Sequence, residues 1–291
     1  MGKKLTDLEK VAKIWQIQLN IEYEKPEKNV RLSFNDIGSF CEHLATDYYN
    51  GFVGSGSGGM GLDLRNFTAK KTIECKACCT IQNSKCKQCS EKFNSLFLDK
   101  CPQCDSVNFR EMKDSRFSIN AKELLKQLEA GIFENLTLCH ISLGGIDKTK
   151  KEITVIMHWF RVDFSDNDIK DNQLEYFRNQ VNYGKANTCN LLPDSFDFFK
   201  LNPTQFSEAK IIIRYDDISK LPTISQTDKS DPLLVPEKII PPDKRADFRE
   251  LESYKDGFAS VKDFTKHIPY KTKSLGKERG DTRRSVYGKL K

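Results

Sequence analysis

Residues 61–79 read GLDLRNFTAKKTIECKACC, which predicts two short strands over 62–66 and 71–77 joined by a tight turn. Because side chains alternate between the faces of a strand, Glu74 and Lys76 share one face and Cys75 points to the opposite, buried side. The hairpin folds Asp63 back opposite Glu74. Two converging carboxylates beside a lysine form an oxygen-ligand site that suits Mg²⁺, an ion that stabilises charge on a phosphoryl group. The stretch therefore predicts metal-dependent phosphodiesterase chemistry.

Four cysteines follow the second strand as two Cys-x-x-Cys pairs, Cys86 with Cys89 and Cys101 with Cys104. Four thiolates at this spacing complete the tetrahedral shell of Zn²⁺, which predicts a closed, structural zinc ribbon. Cys75 and Cys78 form a further Cys-x-x-Cys, but strand alternation assigns Cys75 to the core. Cys78 and Cys79 stay open as minor alternative ligands. Seven of the ten cysteines lie within residues 75–104, which favours metal binding or buried thiols over a disulfide framework.

The segments before the hairpin predict a helical scaffold and a glycine-rich loop. Apolar spacing predicts one helix over 5–23 and a second from a cap at Ser33 or Asn35 to a stop at Gly51. Residues 51–61 contain Gly-x-Gly-x-x-Gly, yet a dinucleotide-binding turn needs a strand before it and a helix after it. The order here is reversed, so the loop is interpreted as a flexible entry into the hairpin.

Beyond the cysteines the pattern mixes helices and strands. It predicts a helix over 121–130 capped by Asn120 or Ser118, strands over 136–143 and 153–162 with a turn at 144–147, and a strand over 209–215. Residues 172–182 read as a helix, and the proline-rich segment 216–243 reads as a linker or surface excursion. We predict a nuclease core over 1–235 with the zinc ribbon inserted at about 78–110, followed by a helical, basic extension over 236–291.

The hairpin resembles the PD-(D/E)xK nuclease superfamily, in which a first Asp is followed by Glu-x-Lys on the next strand. Asp63 matches the first acid, Glu74 the second and Lys76 the lysine, while Leu62 stands where members often carry Pro. Members often place a further Glu on the helix before the hairpin, and Glu42 falls there. A zinc ribbon directly after this strand is similar to some type II restriction endonucleases.

The resemblance implies an α/β fold with a restriction-endonuclease-like central mixed sheet flanked by helices. It also implies Mg²⁺-dependent, site-specific hydrolysis of double-stranded DNA that leaves 5′-phosphate ends, a homodimer, and a cognate methyltransferase as a genetic neighbour. Arg116 is the expected contact to guanine or phosphate, and Ser115 to phosphate. An Asp114–Arg116 surface pair without a DNA role is the alternative for this loop.

Two other functions stay open on the sequence. One is a repair or defence nuclease of the same superfamily with little sequence preference. The other is a zinc-ribbon protein that binds nucleic acid without cleaving it, and its binding would be salt-sensitive.

Charge and hydropathy add constraints on location and partners. The net charge is +6, and residues 266–291 hold nine Lys/Arg against two Asp/Glu. This basic tail is either an electrostatic footprint for nucleic acid or a solvated terminus. No apolar run reaches the ~20 residues of a membrane span, and the first ten residues lack a signal-peptide core, so we expect no membrane partner and a cytoplasmic location. The resemblance to restriction endonucleases implies that the cell is bacterial or archaeal.

Overall fold

The structure, a computed structural model, describes residues 5–26, 37–54, 63–79, 83–112, 116–164, 177, 188–191, 198, 201 and 203–228. Several sequence-based predictions lie outside these residues: the caps Ser33 and Asn35, the loop residues 55–62, Asp114 and Ser115, most of 172–182, and the extension 236–291.

Three helices agree with the predicted helical segments. α1 spans Asp7–Glu24, and Thr6 opens it with a capping box in which Thr6 and Glu9 exchange hydrogen bonds. α2 spans Ile37–Tyr48. α3 spans Ala121–Glu129, is capped by Asn120, and ends before Gly131, whose positive φ of 70° is easily adopted by glycine. Within the described residues no helix is both long and apolar enough to cross a membrane.

Within the described ranges, twelve strands form three sheets, one of them large. The strands are β1 Val53–Gly54, β2 Leu64–Asn66, β3 Lys71–Cys79, β4 Asn83–Cys86, β5 Lys92–Phe93, β6 Phe109–Met112, β7 Phe117–Asn120, β8 Phe133–Asp147, β9 Glu152–Asp163, β10 Thr188–Leu191, β11 Thr204–Arg214 and β12 Thr223–Asp228. The main sheet has the order β1-β2-β3-β8-β9-β11-β12, while β10-β7 and β5-β4-β6 form two small sheets. Only β3 and β8 pair in parallel in the main sheet, so it is mixed, as predicted.

The main sheet separates two apolar clusters. One face packs against α1 and α2 through a cluster that includes Trp15, Leu44, Cys75 and Trp159. The other face packs against α3 and β7 through Leu124, Phe117, Leu138 and Phe160, among others. The result is a mixed α/β architecture with helices on both sides of a central sheet, consistent with a restriction-endonuclease-like fold. Its β2–β3 hairpin carries the two predicted acids at one side of the sheet.

The structure corrects two predicted connections. Residues 144–147 are not a turn: β8 continues through them with a bulge between Leu143 and Gly145, and the chain reverses at 148–151 instead. At Gly144 a Cβ atom would lie 2.8 Å from the Ile156 side chain, so this glycine permits close packing of two strands. The segment predicted as a linker contains β12, an exposed edge strand that pairs with β11.

Candidate active site and metal centres

The hairpin brings the three predicted acid and lysine residues into direct contact. The ammonium of Lys76 lies 2.6 Å from Oε1 of Glu74 and 3.0 Å from Oδ2 of Asp63. The same Asp63 oxygen accepts a hydrogen bond of 2.8 Å from the backbone N–H of Cys75. Asp63 is therefore fixed at the start of β2 by the backbone of β3, and Lys76 lies between the two carboxylates.

Strand alternation has the predicted consequence on β3. Glu74 and Lys76 are in contact with each other. Cys75 is 4% exposed, as Glu74 is, but it belongs to the apolar cluster under α1 and α2. Burial raises the pKa of the Cys75 thiol, and the charge of Asp63 adds to this effect. Cys75 is thus a neutral core residue beneath the acid cluster.

Glu74 is the most constrained of the acids because only 4% of it is exposed. Burial raises its pKa to about 7; the charge of Lys76 opposes this shift, and Asp63 adds to it. Its second oxygen, Oε2, is buried and has no hydrogen-bond partner among the residues that the structure describes. A buried carboxylate oxygen that lacks a donor is costly unless something positive meets it, so Glu74 has an open position for a cation ligand.

Glu42 and Lys76 complete the electrostatics of the cluster. Burial raises the pKa of Glu42 and the charge of Asp63 raises it further, while Lys76 lowers it. Burial would lower the pKa of Lys76, but Glu74 and Asp63 outweigh burial and raise it. Lys76 is accordingly a protonated hydrogen-bond donor. Glu42, on α2, lies close enough to Asp63 and Lys76 for their charges to shift its pKa.

The four predicted zinc ligands also come together. Their sulfur atoms all lie within 4.8 Å of one another, with Cys86 3.6 Å from Cys104 and Cys89 3.5 Å from Cys101. A tetrahedral Zn²⁺ with Zn–S bonds of ~2.3 Å separates its sulfurs by about 3.8 Å, so the arrangement fits this ion. Cys78 and Cys79 do not belong to the cluster.

The two cysteine pairs sit in matching turns. Ser90 N–H donates to the Cys86 carbonyl at 3.1 Å, and Asp105 N–H donates to the Cys101 carbonyl at 2.9 Å. Ser90 and Asp105 both have positive φ, 66° and 54°. Backbone N–H groups of Cys89 and Gln88 lower the pKa of Cys86 to about 6, which favours its thiolate. The Ser106 N–H lowers the pKa of Cys104, but burial and the neighbouring thiols outweigh it and raise this pKa to about 12.

The zinc ribbon, defined here as residues 83–112, docks on the main core. Asn94 donates a hydrogen bond to the buried carboxylate of Glu22 on α1, and Leu96 enters the core cluster under α1 and α2. Phe97 packs against Tyr23 and Tyr215, with ring centroids 5.7 and 5.1 Å apart. These contacts fix the orientation of the ribbon relative to the helices.

Comparison with known protein families shows which family the chain belongs to. Residues 31–238 match the family model described as MamI restriction endonuclease. The chain belongs to the MamI restriction endonuclease family. It is accordingly a nuclease of the site-specific, DNA-cleaving class. No curated protein and no solved structure is significantly similar to it.

The match to the MamI family includes the hairpin and all four zinc-ribbon cysteines. It also includes Arg116, which directly precedes β7, a strand that contacts β3. Arg116 is half-buried, and Ser115 lies outside the described residues.

The sequence did not predict a series of linked side-chain hydrogen bonds beneath the hairpin. Tyr49 and Thr137 share a hydrogen bond of 2.7 Å, and Thr137 donates to Asn135 at 2.9 Å. Asn135 and Thr137 lie on β8 and are register partners of Ile73 and Cys75 on β3. Asn135 and Thr137 are polar residues in an otherwise apolar strand, and this pattern is the sequence feature that could have indicated buried hydrogen bonds. Their partner Tyr49 could not be identified in this way, because it is remote in sequence.

Proposed function

We propose that the chain is a type II endonuclease that hydrolyses phosphodiester bonds of double-stranded DNA with Mg²⁺ and leaves 5′-phosphate and 3′-hydroxyl ends. The observation that supports this most directly is the convergence of Asp63, Glu74 and Lys76, with a buried Glu74 oxygen that has no partner in the described part of the chain. Family membership supplies the substrate class. We infer the Mg²⁺ ion from the carboxylate oxygens of Asp63 and Glu74. The 5′-phosphate and 3′-hydroxyl ends are what the resemblance to PD-(D/E)xK nucleases implies.

Asp63 and Glu74 would hold the Mg²⁺, since hard cations prefer carboxylate oxygens. When bound, the ion polarises the scissile phosphate and lowers the pKa of water. Lys76, whose pKa is raised, donates hydrogen bonds that orient the attacking water and stabilise charge on the phosphate. Glu42, whose pKa is also raised, is suited to accept a proton from that water.

Cleavage of plasmid DNA tests the proposal. Wild-type protein with Mg²⁺ should give discrete fragments, and Asp63→Asn and Lys76→Met should each lower the rate at least 100-fold, the scale of losing one electrostatic group. Lys70→Met, at an exposed turn position of the same hairpin, is the matched control and should cleave normally. Undiminished cleavage by Asp63→Asn would remove this acid from the mechanism.

The form of the products separates the alternatives. Discrete bands whose ends ligate without prior phosphorylation support a type II enzyme with 5′-phosphate products. A smear supports the less specific repair or defence nuclease, and salt-sensitive binding without cleavage under any divalent ion supports the zinc-ribbon binding protein.

Zn²⁺ is the ion that we assign to Cys86, Cys89, Cys101 and Cys104. Four thiolates leave no open coordination position, so this ion has a structural role. It would hold together a module whose own apolar cluster is small and centres on Cys86, Phe93 and Cys101.

A homodimer is the expected assembly, and the outer face of α1 is the surface that we assign to it. Ile14, Ile17 and Ile21 are 39%, 41% and 41% exposed and follow one another at helical spacing. Lys10 and Glu24 lie at the two ends of this stripe. An antiparallel pair of α1 helices centred on Ile17 brings Lys10 close to the partner's Glu24, so the surface is complementary to itself. A methyltransferase gene beside the coding sequence would support a restriction role.

A further inference from the structure

The register of the sheet β5-β4-β6 places three cationic residues side by side. Lys85 of β4 is the direct partner of Lys92 on β5 and of Arg110 on β6. Direct partners in adjacent strands project to the same face, with Cβ atoms ~5 Å apart. These three residues, called the cationic row below, therefore cross the full width of the zinc ribbon.

The cationic row lies on the outer face of the ribbon. The neighbouring residues Ser84 and Phe93, which pair with each other, are fully buried, and Cys86 and Phe109 belong to the ribbon's apolar cluster. By alternation the row points away from that cluster. Lys92 and Arg110 are exposed and Lys85 is half-buried.

Two acids of the ribbon have lysine partners outside the row. Asp99 pairs with Lys148 at 3.1 Å, and Asp105 pairs with Lys100 at 2.5 Å. The three cationic residues of the row are direct partners across adjacent strands.

Like charges directly opposite one another destabilise a sheet, and here the arrangement occurs twice across three very short strands. Folding of the ribbon does not explain such a row, because the cysteine cluster and the docking of Asn94 and Leu96 already hold it. A polyanion that binds across the strands removes the repulsion and turns it into attraction.

We propose that the cationic row of Lys85, Lys92 and Arg110 binds the sugar–phosphate backbone of the DNA substrate and holds the duplex next to the hairpin. This inference rests on the proposed nuclease function for its choice of polyanion. Adjacent strands lie ~4.8 Å apart, so the row spans about 10 Å, the axial length of roughly three nucleotides of one strand. Such contacts position a duplex and read no bases.

The connection to the hairpin keeps the row within reach of the same duplex. Lys85 follows Lys76 by nine residues, which span at most ~32 Å when fully extended. This limit is about one turn of B-DNA. A duplex with a phosphate at Lys76 can therefore meet the row within one turn of the cleavage point.

Salt-dependent DNA binding tests the row. Zinc-loaded full-length protein is titrated into a fluorescent 30-base-pair duplex of mixed sequence, without Mg²⁺, at several NaCl concentrations. The slope of log K against log[salt] is negative, and each lost phosphate contact makes its magnitude smaller by ~0.9. Lys85→Gln/Lys92→Gln/Arg110→Gln should therefore reduce this magnitude by roughly 2–3 and weaken binding at least tenfold. The control Lys25→Gln/Lys150→Gln/Lys220→Gln removes the same charge at exposed positions outside the ribbon and should keep the wild-type slope.

Stability and zinc content separate binding from folding. Removal of repelling charges should leave the melting temperature of the row variant equal or higher, and its zinc content unchanged. If the triple variant loses zinc, Lys92→Gln/Arg110→Gln, which changes only exposed side chains, gives the same readout with a slope reduction of about 2.

Failure of the two proposals can be told apart. A row variant with the wild-type slope overturns the cationic row, even if cleavage still depends on Asp63. A control triple variant that loses as much slope also overturns it, because total charge would then explain the binding. Normal binding through the row without cleavage by the wild-type protein would instead overturn the nuclease chemistry alone.

Discussion

Glu74→Gln should make the protein more stable and inactive, and the gain should depend on pH. The buried Glu74 carboxyl has its pKa raised from 4.5 to about 7, with burial as the main cause. A raised pKa means that the folded protein keeps a proton that the unfolded chain releases. The contribution of Glu74 to stability therefore falls as pH rises from about 4.5 through 7, and above 7 the whole loss is present.

The size of the effect follows from the shift. A difference of about 2.5 pKa units at ~1.36 kcal/mol each gives a loss of roughly 3 kcal/mol at pH 8, and under ~1 kcal/mol at pH 5. Glutamine keeps the shape and never ionises, so Glu74→Gln should regain up to this amount at pH 8. For a chain of this length the gain corresponds to a rise in Tm of roughly 5–10 °C.

Thermal unfolding of wild type and variant, measured from pH 5 to pH 8.5 without added Mg²⁺ and with zinc retained, checks this expectation. The difference between the two proteins reports Glu74 together with Lys76, whose pKa Glu74 raises, because the remaining titrating groups are shared. Glu129→Gln, at an exposed position of α3, is the matched control and should show no pH-dependent difference. A variant that is no more stable than wild type at pH 8, or a difference that is flat with pH, would refute the reasoning.

Two further predictions concern the zinc site and the assembly. Cys101→Ser should lose bound zinc and lower stability, since Cys101 is fully buried in the cysteine cluster, whereas Cys79→Ser, outside the cluster, should keep one zinc per chain by atomic absorption. In sedimentation equilibrium Lys10→Glu should weaken the homodimer by pairing like charges, and Lys10→Glu/Glu24→Lys should restore it. A monomeric wild type, or a double variant no better than the single one, would contradict the assigned α1 surface.

Features that depend on local periodicity were readable from the sequence. Alternation along β3 correctly separates Glu74 and Lys76 from the buried Cys75, and Asn120 and Gly131 mark the two ends of α3. The paired Cys-x-x-Cys spacing likewise predicts the four-sulfur cluster. Each of these signals is contained within a few residues, so no long-range contact had to be known.

Features that depend on partners remote in the chain were not readable. Gly144 reads as a turn residue, but its role is set by Ile156 on the neighbouring strand. The parallel pairing of β3 with β8 and the docking of Leu96 into the core link segments far apart in sequence. Periodicity carries no information on such pairings, because it reports which face of an element is buried and not what covers it.

The charge of the acid cluster would be matched by one divalent cation. Asp63, Glu74 and Glu42 carry three negative charges when ionised, and Lys76 supplies one positive charge in contact with two of them. The cluster then has a charge of −2, which one divalent ion would neutralise. This balance already counts Lys76, so its ammonium would face the substrate phosphate only where the divalent ion replaces it as the partner of the carboxylates. The raised pKa values of Glu74 and Glu42 arise because burial and neighbouring acids disfavour their ionised forms until a cation is present.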